Sequence, residues 1–165
     1  MIENFKMLNE AEFDKLKDAI SLITVYIAGA DGNIDADELE WAEKITSIRS
    51  YNAPDGLSKF YEEVGVDFQE RIDKYVTSLD SIELRNSTVE QKLTELNPIL
   101  AKLDLRIGAA LYKSYVSFAK HVAKASGGFL GFFSIGPDEK ALLDLKMITP
   151  IIWTSEEDEE SEDAE

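Results

Sequence analysis

Apolar residues recur at spacings of three and four along most of this 165-residue chain, and this periodicity constrains its fold more than any other feature. The clearest case follows Asn9, which together with Glu12 has the pattern of a capping box at a helix start. Five apolar residues then predict the buried face of a first helix: Phe13, Leu16, Ile20, Ile23 and Ile27. No run has the apolar–polar alternation typical of a strand. We therefore predict an all-α fold.

Further start and stop signals divide the chain into about seven helices. The second helix follows Asp35, with apolar positions at Leu39, Trp41, Ala42, Ile45 and Ile48. Cap patterns at Asp67 and at Ser87 predict two later helix starts. Asn97 is a predicted N-cap, because a proline follows it at the first helical position. A strong helical pattern then runs to Ala125, with Asp104 and Gly108 as candidate bends.

The final helix is predicted at PDEKALLDLKMI, residues 137–148, and it ends before Pro150. This helix and the residues that precede it have the sequence HVAKASGGFLGFFSIGPDEKALLDLKMI. The segment has the same order of parts as YIAGADGNIDADELEWAEKI earlier in the chain. Each has small residues at a helix end, glycine, an isoleucine, and acidic residues opening the next helix. This weak repeat predicts a compact bundle made of two related helix–loop–helix halves.

The chain has a formal net charge of −16, and the negative charge is concentrated in its last residues. Eight of the eleven residues from 155 to 165, SEEDEESEDAE, are acidic and none is basic. Such a run repels itself and has no apolar area to bury, so we predict a helical domain at 1–152 and a disordered acidic tail at 153–165. A globally acidic protein is also a poor nucleic-acid binder, because binding to phosphates needs clustered bases.

The cysteine content, the first residues and the longest uncharged run limit the cellular location and the possible chemistry of the chain. The absence of cysteine excludes disulfides, thiolate metal sites and cysteine nucleophiles. The first residues lack the layout of a signal peptide. The longest uncharged run, residues 125–137, is shorter than the roughly 20 residues that span a bilayer. We expect a cytoplasmic protein without a transmembrane segment.

The stretch AGADGNIDADELE, residues 28–40, contains half of a calcium-loop pattern. When Gly32 is taken as the sixth position of the loop, Asp31, Asp35 and Glu38 fall at the fifth, ninth and twelfth positions. The first and third positions are Ile27 and Gly29, which supply no side-chain oxygen. A complete calcium loop is therefore not expected.

Two interpretations of this acidic loop stay open. In one, Asp35 is a helix N-cap, Glu38 returns a hydrogen bond, and Gly32 provides a left-handed turn. In the other, Asp31, Asp35 and Glu38 hold a weakly bound divalent cation, since six carboxylates and no base lie between residues 31 and 43.

A basic stripe is predicted if residues 102–124 form one helix. At 100° per residue, five bases then fall on one face: Lys102, Arg106, Lys113, Lys120 and Lys124. This face is either a solvated surface or a docking strip for an acidic partner, including the acidic tail of the chain itself. His121, the only histidine, is expected to be structural.

The aromatic, glycine-rich loop at 127–136 lacks the lysine and hydroxyl of a phosphate-binding loop. Its aromatic residues either pack over the bundle or mark a protein or membrane contact. No hydrolase triad, zinc site or dinucleotide motif occurs in the sequence, so no catalytic residues are predicted. An enzyme with clustered carboxylates is the weakest of the functional hypotheses.

The segments IAGADGNIDADELE and VAKASGGFLGFFSIGPDEKALL resemble the TerB-like family of tellurite-resistance proteins, over residues 12–48 and 98–148. The resemblance implies two similar helical halves and a non-enzymatic role in stress responses, within complexes that link metal sensing to the membrane. It also implies metal interaction at Asp31, Asp35 and Glu38. In the second unit Ser126 replaces the aspartate, and Gly136 stands in place of Asp35.

These observations predict a non-enzymatic TerB-like interaction module linked to tellurite resistance and stress. It would recognise partner proteins, including a membrane-associated complex, through charged surfaces. The alternative is a divalent-cation sensor that uses the acidic loop at 31–38.

Overall fold

The computed structural model describes residues 2–30, 32–34, 36–53, 56–126 and 142–154. Five helices of thirteen residues or more make up most of this part: α1 (Glu10–Ala28), α2 (Ala36–Asn52), α3 (Ser58–Ser78), α4 (Ile82–Thr94) and α5 (Leu105–Ser126). These ranges contain no strand, which confirms the all-α class. The total of about seven helices and the two related halves remain predictions, because residues 127–141 lie outside the described ranges.

α1 is the central helix and packs against each of the other four. Its start is the predicted capping box: the Asn9 side chain accepts a hydrogen bond from the Glu12 N–H at 2.9 Å, and Glu12 Oε2 accepts one from the Asn9 N–H at 3.1 Å. Every residue from Ala19 to Ala28 is buried. This half of α1 is covered on all sides and therefore lies within the core. The predicted apolar stripe forms only part of the surface that α1 buries.

α3 consists of two helical segments joined by a kink at Asp67, the residue where the sequence predicts a helix start. Asp67, the predicted cap, has φ −130° and ψ 16° inside the helix. Its carboxylate accepts a hydrogen bond from Arg71 Nη2 at 2.7 Å. Arg71 also bonds to Asp14 and Asp18 of α1, so the ion-pair network fixes the kink against the central helix.

α4 begins earlier than predicted. Ser81 is its N-cap, and its Oγ accepts a hydrogen bond from the Leu84 N–H at 3.2 Å. The predicted start at Ser87 is wrong, because this residue lies inside the helix and its hydroxyl donates to the Leu84 carbonyl oxygen. Both serines suit a cap, and the extended backbone of Ser81 provides the helix start.

The predicted cap at Asn97 is also wrong. Asn97 is the first residue of the helical turn Asn97–Leu100, and its side chain reaches across the chain. Its Nδ2 donates to the Met147 carbonyl oxygen at 2.9 Å, and its Oδ1 accepts from the Thr149 N–H at 2.8 Å. These two bonds hold the described segment 142–154 against the bundle.

The last predicted helix does not continue to Ile148. Leu145 has φ 44°, a left-handed conformation that interrupts a right-handed helix. Its side chain is completely buried, so packing holds this residue in an unfavourable conformation. None of the helices described is both long and apolar enough to cross a bilayer.

Candidate functional site

A groove of about 420 Å³ runs between α2 and α5. Its α2 side is lined by Trp41, Ile45 and Ile48, and its α5 side includes Ala110 and His121. Apolar walls with a few convergent polar groups are the usual composition of a ligand-binding site. We therefore consider this groove the candidate site.

The apolar wall on α2 is open to solvent. Trp41 is 41% exposed and Ile48 is 50% exposed, although both belong to the predicted apolar positions of α2. They lie seven residues apart on one face, whereas the intervening Ile45 is buried. Two large exposed apolar side chains along one groove provide contact area for a bound chain.

Arg49 lies at the base of the groove and is partly buried. Its Nη1 donates to the Tyr61 hydroxyl at 2.8 Å, and to the carbonyl oxygen and Oγ of Ser114 at 2.9 and 3.0 Å. Its Nη2 donates to Ser117 Oγ at 3.0 Å. The guanidinium carbon lies 5.3 Å from the ring centroid of Tyr61 and 5.5 Å from that of Phe118. These contacts orient the guanidinium within the groove.

All of these acceptors are neutral. Burial raises the pKa of Tyr61 although Arg49 opposes the shift, so the phenol stays protonated near neutral pH. Among the described residues Arg49 makes no ion pair with a carboxylate. A partly buried arginine without a counter-ion carries a desolvation cost that a bound anion would relieve.

Four of the five predicted stripe residues extend this positive charge along α5. Arg106, Lys113, Lys120 and Lys124 are exposed on the helix, and Lys113 lines the groove itself. In the described part of the chain none of the four forms a salt bridge. Their positive charges therefore remain available to an approaching anion.

Lys102 does not belong to this helical stripe. The premise that residues 102–124 form one helix is wrong, because Asp104 accepts a hydrogen bond from the Arg106 N–H and α5 begins only at Leu105. Lys102 lies in the preceding turn and forms an ion pair with Glu12. Its partner-binding role remains a prediction.

His121 is exposed at the end of the groove. Its Nδ1 lies 2.7 Å from the Ser117 carbonyl oxygen, an acceptor, so Nδ1 carries a proton and donates this bond. This bond lies within α5 and is a structural contact of the kind expected for His121. Its position in the lining of the groove additionally places an imidazole in the candidate site.

The acidic loop is only partly described. Gly32 has φ 94°, which matches the predicted left-handed turn. Glu38 is only 7% exposed in the first turn of α2, whereas Asp31 and Asp35 lie outside the described residues. Within the described ranges no three acidic or histidine side chains are grouped to hold a metal ion. A cation at Asp31, Asp35 and Glu38 remains a prediction.

A second hollow lies directly beside the groove. It is lined by Asp37, Glu40, Trp41, Lys44 and Lys124. Glu40 is paired with Lys44 at 2.9 Å, so part of the predicted acidic surface is neutralised by a base on the same helix. The aromatic loop 127–136 and the acidic run 155–165 lie outside the described residues.

Arg49 is the residue that the sequence analysis missed. It follows Ala42 and Ile45 at spacings of seven and four, so it belongs to the core-facing positions of α2. An arginine at such a position is the available signal, since charged residues are rarely buried without a partner. Its partners Tyr61 and Ser114 lie 12 and 65 residues further along the chain, and the fold brings them together.

A scan against protein-family models, a search of curated proteins and a search of solved structures each found no match for this chain.

Proposed function

We propose that this chain is a non-enzymatic interaction module that binds an acidic segment of a partner protein in the groove between α2 and α5. The observation that carries the proposal is Arg49, a partly buried guanidinium held by neutral groups at the base of the groove. A carboxylate on the partner would supply the missing counter-ion. Hydrogen bonds to charged groups contribute about 1.5–3 kcal/mol each, enough to select an acidic ligand.

The surroundings of Arg49 favour a peptide over a small ion. Lys113 lines the same groove, and Lys120 and Lys124 continue the positive charge along α5. Trp41 and Ile48 offer apolar contact area on the opposite wall. The preferred ligand is therefore a chain with several carboxylates and an apolar side chain among them.

The resemblance to the TerB-like family supports a cytoplasmic stress-response setting and two related helical halves. Both are parts of the same proposal. The Ser114 and Ser117 hydroxyls are engaged by Arg49, an arrangement that suits binding rather than nucleophilic chemistry.

A peptide titration tests this function. The probe is a synthetic peptide of alternating glutamate and glycine with one central phenylalanine, and its control has glutamine in place of each glutamate. Trp153→Phe leaves Trp41 as the only tryptophan, because the chain has two. We expect the acidic peptide to change the fluorescence of Trp41 and to bind more weakly as salt rises towards about 1 M, where charges are screened within about 3 Å.

Two variants identify the surface. Arg49→Gln should weaken binding about tenfold or more, and Lys113→Gln should weaken it less, because Lys113 is exposed. Lys92→Gln is the matched control, since Lys92 is an exposed base on α4, away from the groove. Equal affinity for the glutamine peptide, or unchanged affinity in both groove variants, would refute the proposal.

A further inference from the structure

We infer that the acidic segment 155–165 of this chain occupies the groove between α2 and α5, with its carboxylates on Arg49 and on the bases of α5. The inference rests on the proposed function, because it takes the groove to be a site for acidic segments. In addition, it names the acidic segment that occupies the groove when no partner is bound. The segment then competes with any partner for the same surface.

The charges of the two surfaces are complementary. The segment has eight carboxylates and no base within eleven residues. The groove and its α5 side provide five bases that form no salt bridge with a described residue: Arg49, Arg106, Lys113, Lys120 and Lys124. The rest of the domain is acidic, with 25 acidic and 17 basic residues outside the segment. The face of α5 is therefore a local positive surface on a negative protein.

The last described residues of the chain place the start of the acidic segment close to α5. The Asn97 side chain holds the backbone at Met147 and Thr149. Two residues later, the Ile151 side chain lies beside Gly108 of α5, where Cδ1 is 3.5 Å from the position that a Cβ on the glycine would take. The segment thus leaves the bundle next to the first turns of α5.

The segment is long enough to reach Arg49 and its neighbours. From Gly108 the groove residues Lys113 and His121 lie about 8 and 20 Å along the helix axis, at 1.5 Å per residue. Passing around α5 adds about 15–19 Å, half the circumference of a helix 10–12 Å across. Eleven extended residues span about 36–40 Å. The segment therefore covers the required path.

Tethering makes a weak contact sufficient. A short flexible connection gives an effective concentration on the order of millimolar. An interaction too weak to detect between separate molecules is then populated within one chain. Neutralising the segment should therefore raise the affinity of a separate acidic peptide about two- to sixfold, when its own contact has a millimolar-range affinity.

Spin labelling tests the inference on the full chain. The protein has no cysteine, so Ser161→Cys provides a single attachment site within the segment. A nitroxide at this residue should broaden the amide signals of residues 41–52 and 110–121 and the indole signal of Trp41. The α4 signals around Lys92 should remain sharp. Salt towards about 1 M should restore the groove signals.

Two variants provide the controls. Lys113→Gln combined with Lys120→Gln removes exposed charges without touching the core, and it should reduce the broadening. A chain with every acidic residue of 155–165 replaced by its amide should lose the broadening entirely. Broadening that is uniform over the surface, absent from the groove, or unchanged by the amide replacement would overturn the inference.

The peptide titration separates this inference from the proposed function. If the acidic peptide binds equally well to the chain with the neutralised segment and to the original chain, the segment does not occupy the groove, while the groove still binds acidic ligands. If the peptide binds to neither chain, the proposed function itself has failed.

Discussion

Arg85 donates from Nη1 to the carbonyl oxygen of Gly29 at 3.2 Å, joining the end of α1 to a residue 56 positions later in the chain. Its Nη2 donates to the Leu79 carbonyl oxygen at 3.2 Å, at the end of α3. Cations are favourable at helix C-termini, where carbonyl groups lack partners within the helix. One buried side chain of α4 therefore secures the ends of two other helices.

Gly29→Ala should displace this arginine. A Cβ on Gly29 would lie 2.3 Å from Arg85 Nη1 and 2.9 Å from the Val25 carbonyl oxygen, although the φ of −98° suits any residue. We expect the free energy of unfolding to fall by about 2–3 kcal/mol, because a buried charged group loses its hydrogen bonds. Urea denaturation measures this change.

Gly65→Ala is the matched control. Gly65 lies within α3, and a Cβ there meets nothing within 4 Å. Alanine is the better helix former, so this substitution should raise the free energy of unfolding by about 0.5–1 kcal/mol. Equal losses in the two variants would show that the Arg85 contact is not the cause.

The Asp67–Arg71 pair should make stability depend on acid pH. The Arg71 hydrogen bond is the main cause that lowers the pKa of Asp67 below its ordinary value of 3.8. A carboxyl group with a lowered folded-state pKa stabilises the protein above its unfolded-state pKa, and this contribution is lost as pH falls through the folded-state pKa. Asp67→Asn should therefore lower the free energy of unfolding at pH 7. The variant should also lose less stability than the original chain as pH falls from about 5 to about 2.5.

Urea midpoints across this pH range provide the measurement. Asp73→Asn is the control, since Asp73 is exposed on the same helix and accepts a hydrogen bond from Gln69. Its pH profile should follow that of the original chain. Parallel profiles for all three proteins would contradict the assignment to Asp67.

Asn97→Ala should release the segment that contains Met147 and Thr149. Both side-chain bonds are lost, and we expect faster hydrogen exchange at the Thr149 amide and faster proteolysis within 147–154. Asn97→Asp keeps an acceptor for the Thr149 N–H and removes the donor to Met147. Thr149 should stay more protected in the aspartate variant than in the alanine variant.

Tyr61→Phe should loosen Arg49. The hydroxyl accepts from Arg49 Nη1 at 2.8 Å and lies 2.6 Å from Ser114 Oγ. Its removal should lower the free energy of unfolding by about 1 kcal/mol. It should also weaken binding of the acidic peptide severalfold, since the guanidinium loses one of its fixed contacts. Calorimetry and the Trp41 titration measure the two effects. Unchanged peptide affinity would mean that Tyr61 does not orient Arg49.

Local patterns predicted local structure well. The Asn9–Glu12 cap and the left-handed Gly32 depend on residues close in sequence, and both are present. Ser87 and Asn97 have equally good local patterns, but their side chains bond elsewhere. Cap patterns are common: Ser87 lies inside a helix that Ser81 already starts, and a tertiary contact engages the Asn97 side chain.

The candidate site depends on contacts that a single sequence does not reveal. Arg49 meets Ser114 and Ser117 across more than sixty residues, so local spacing gives no indication of the cluster. The basic residues of α5 were predictable because helical periodicity places them on one face. Lys102 was misplaced because the stripe required one helix over 102–124, whereas the chain breaks at Asp104, one of the two predicted candidate bends.

The complete burial of Ala19 to Ala28 in α1 has a consequence for the dynamics of the protein. This half of α1 has no exposed face from which it can fray while the bundle stays intact, whereas the first half contains the exposed residues Glu10, Asp14 and Lys15. The backbone amides of these residues should exchange with solvent only when the whole bundle opens, whereas exposed termini exchange by local fluctuation. The exchange rates of residues 19–28 therefore report the global unfolding of the protein.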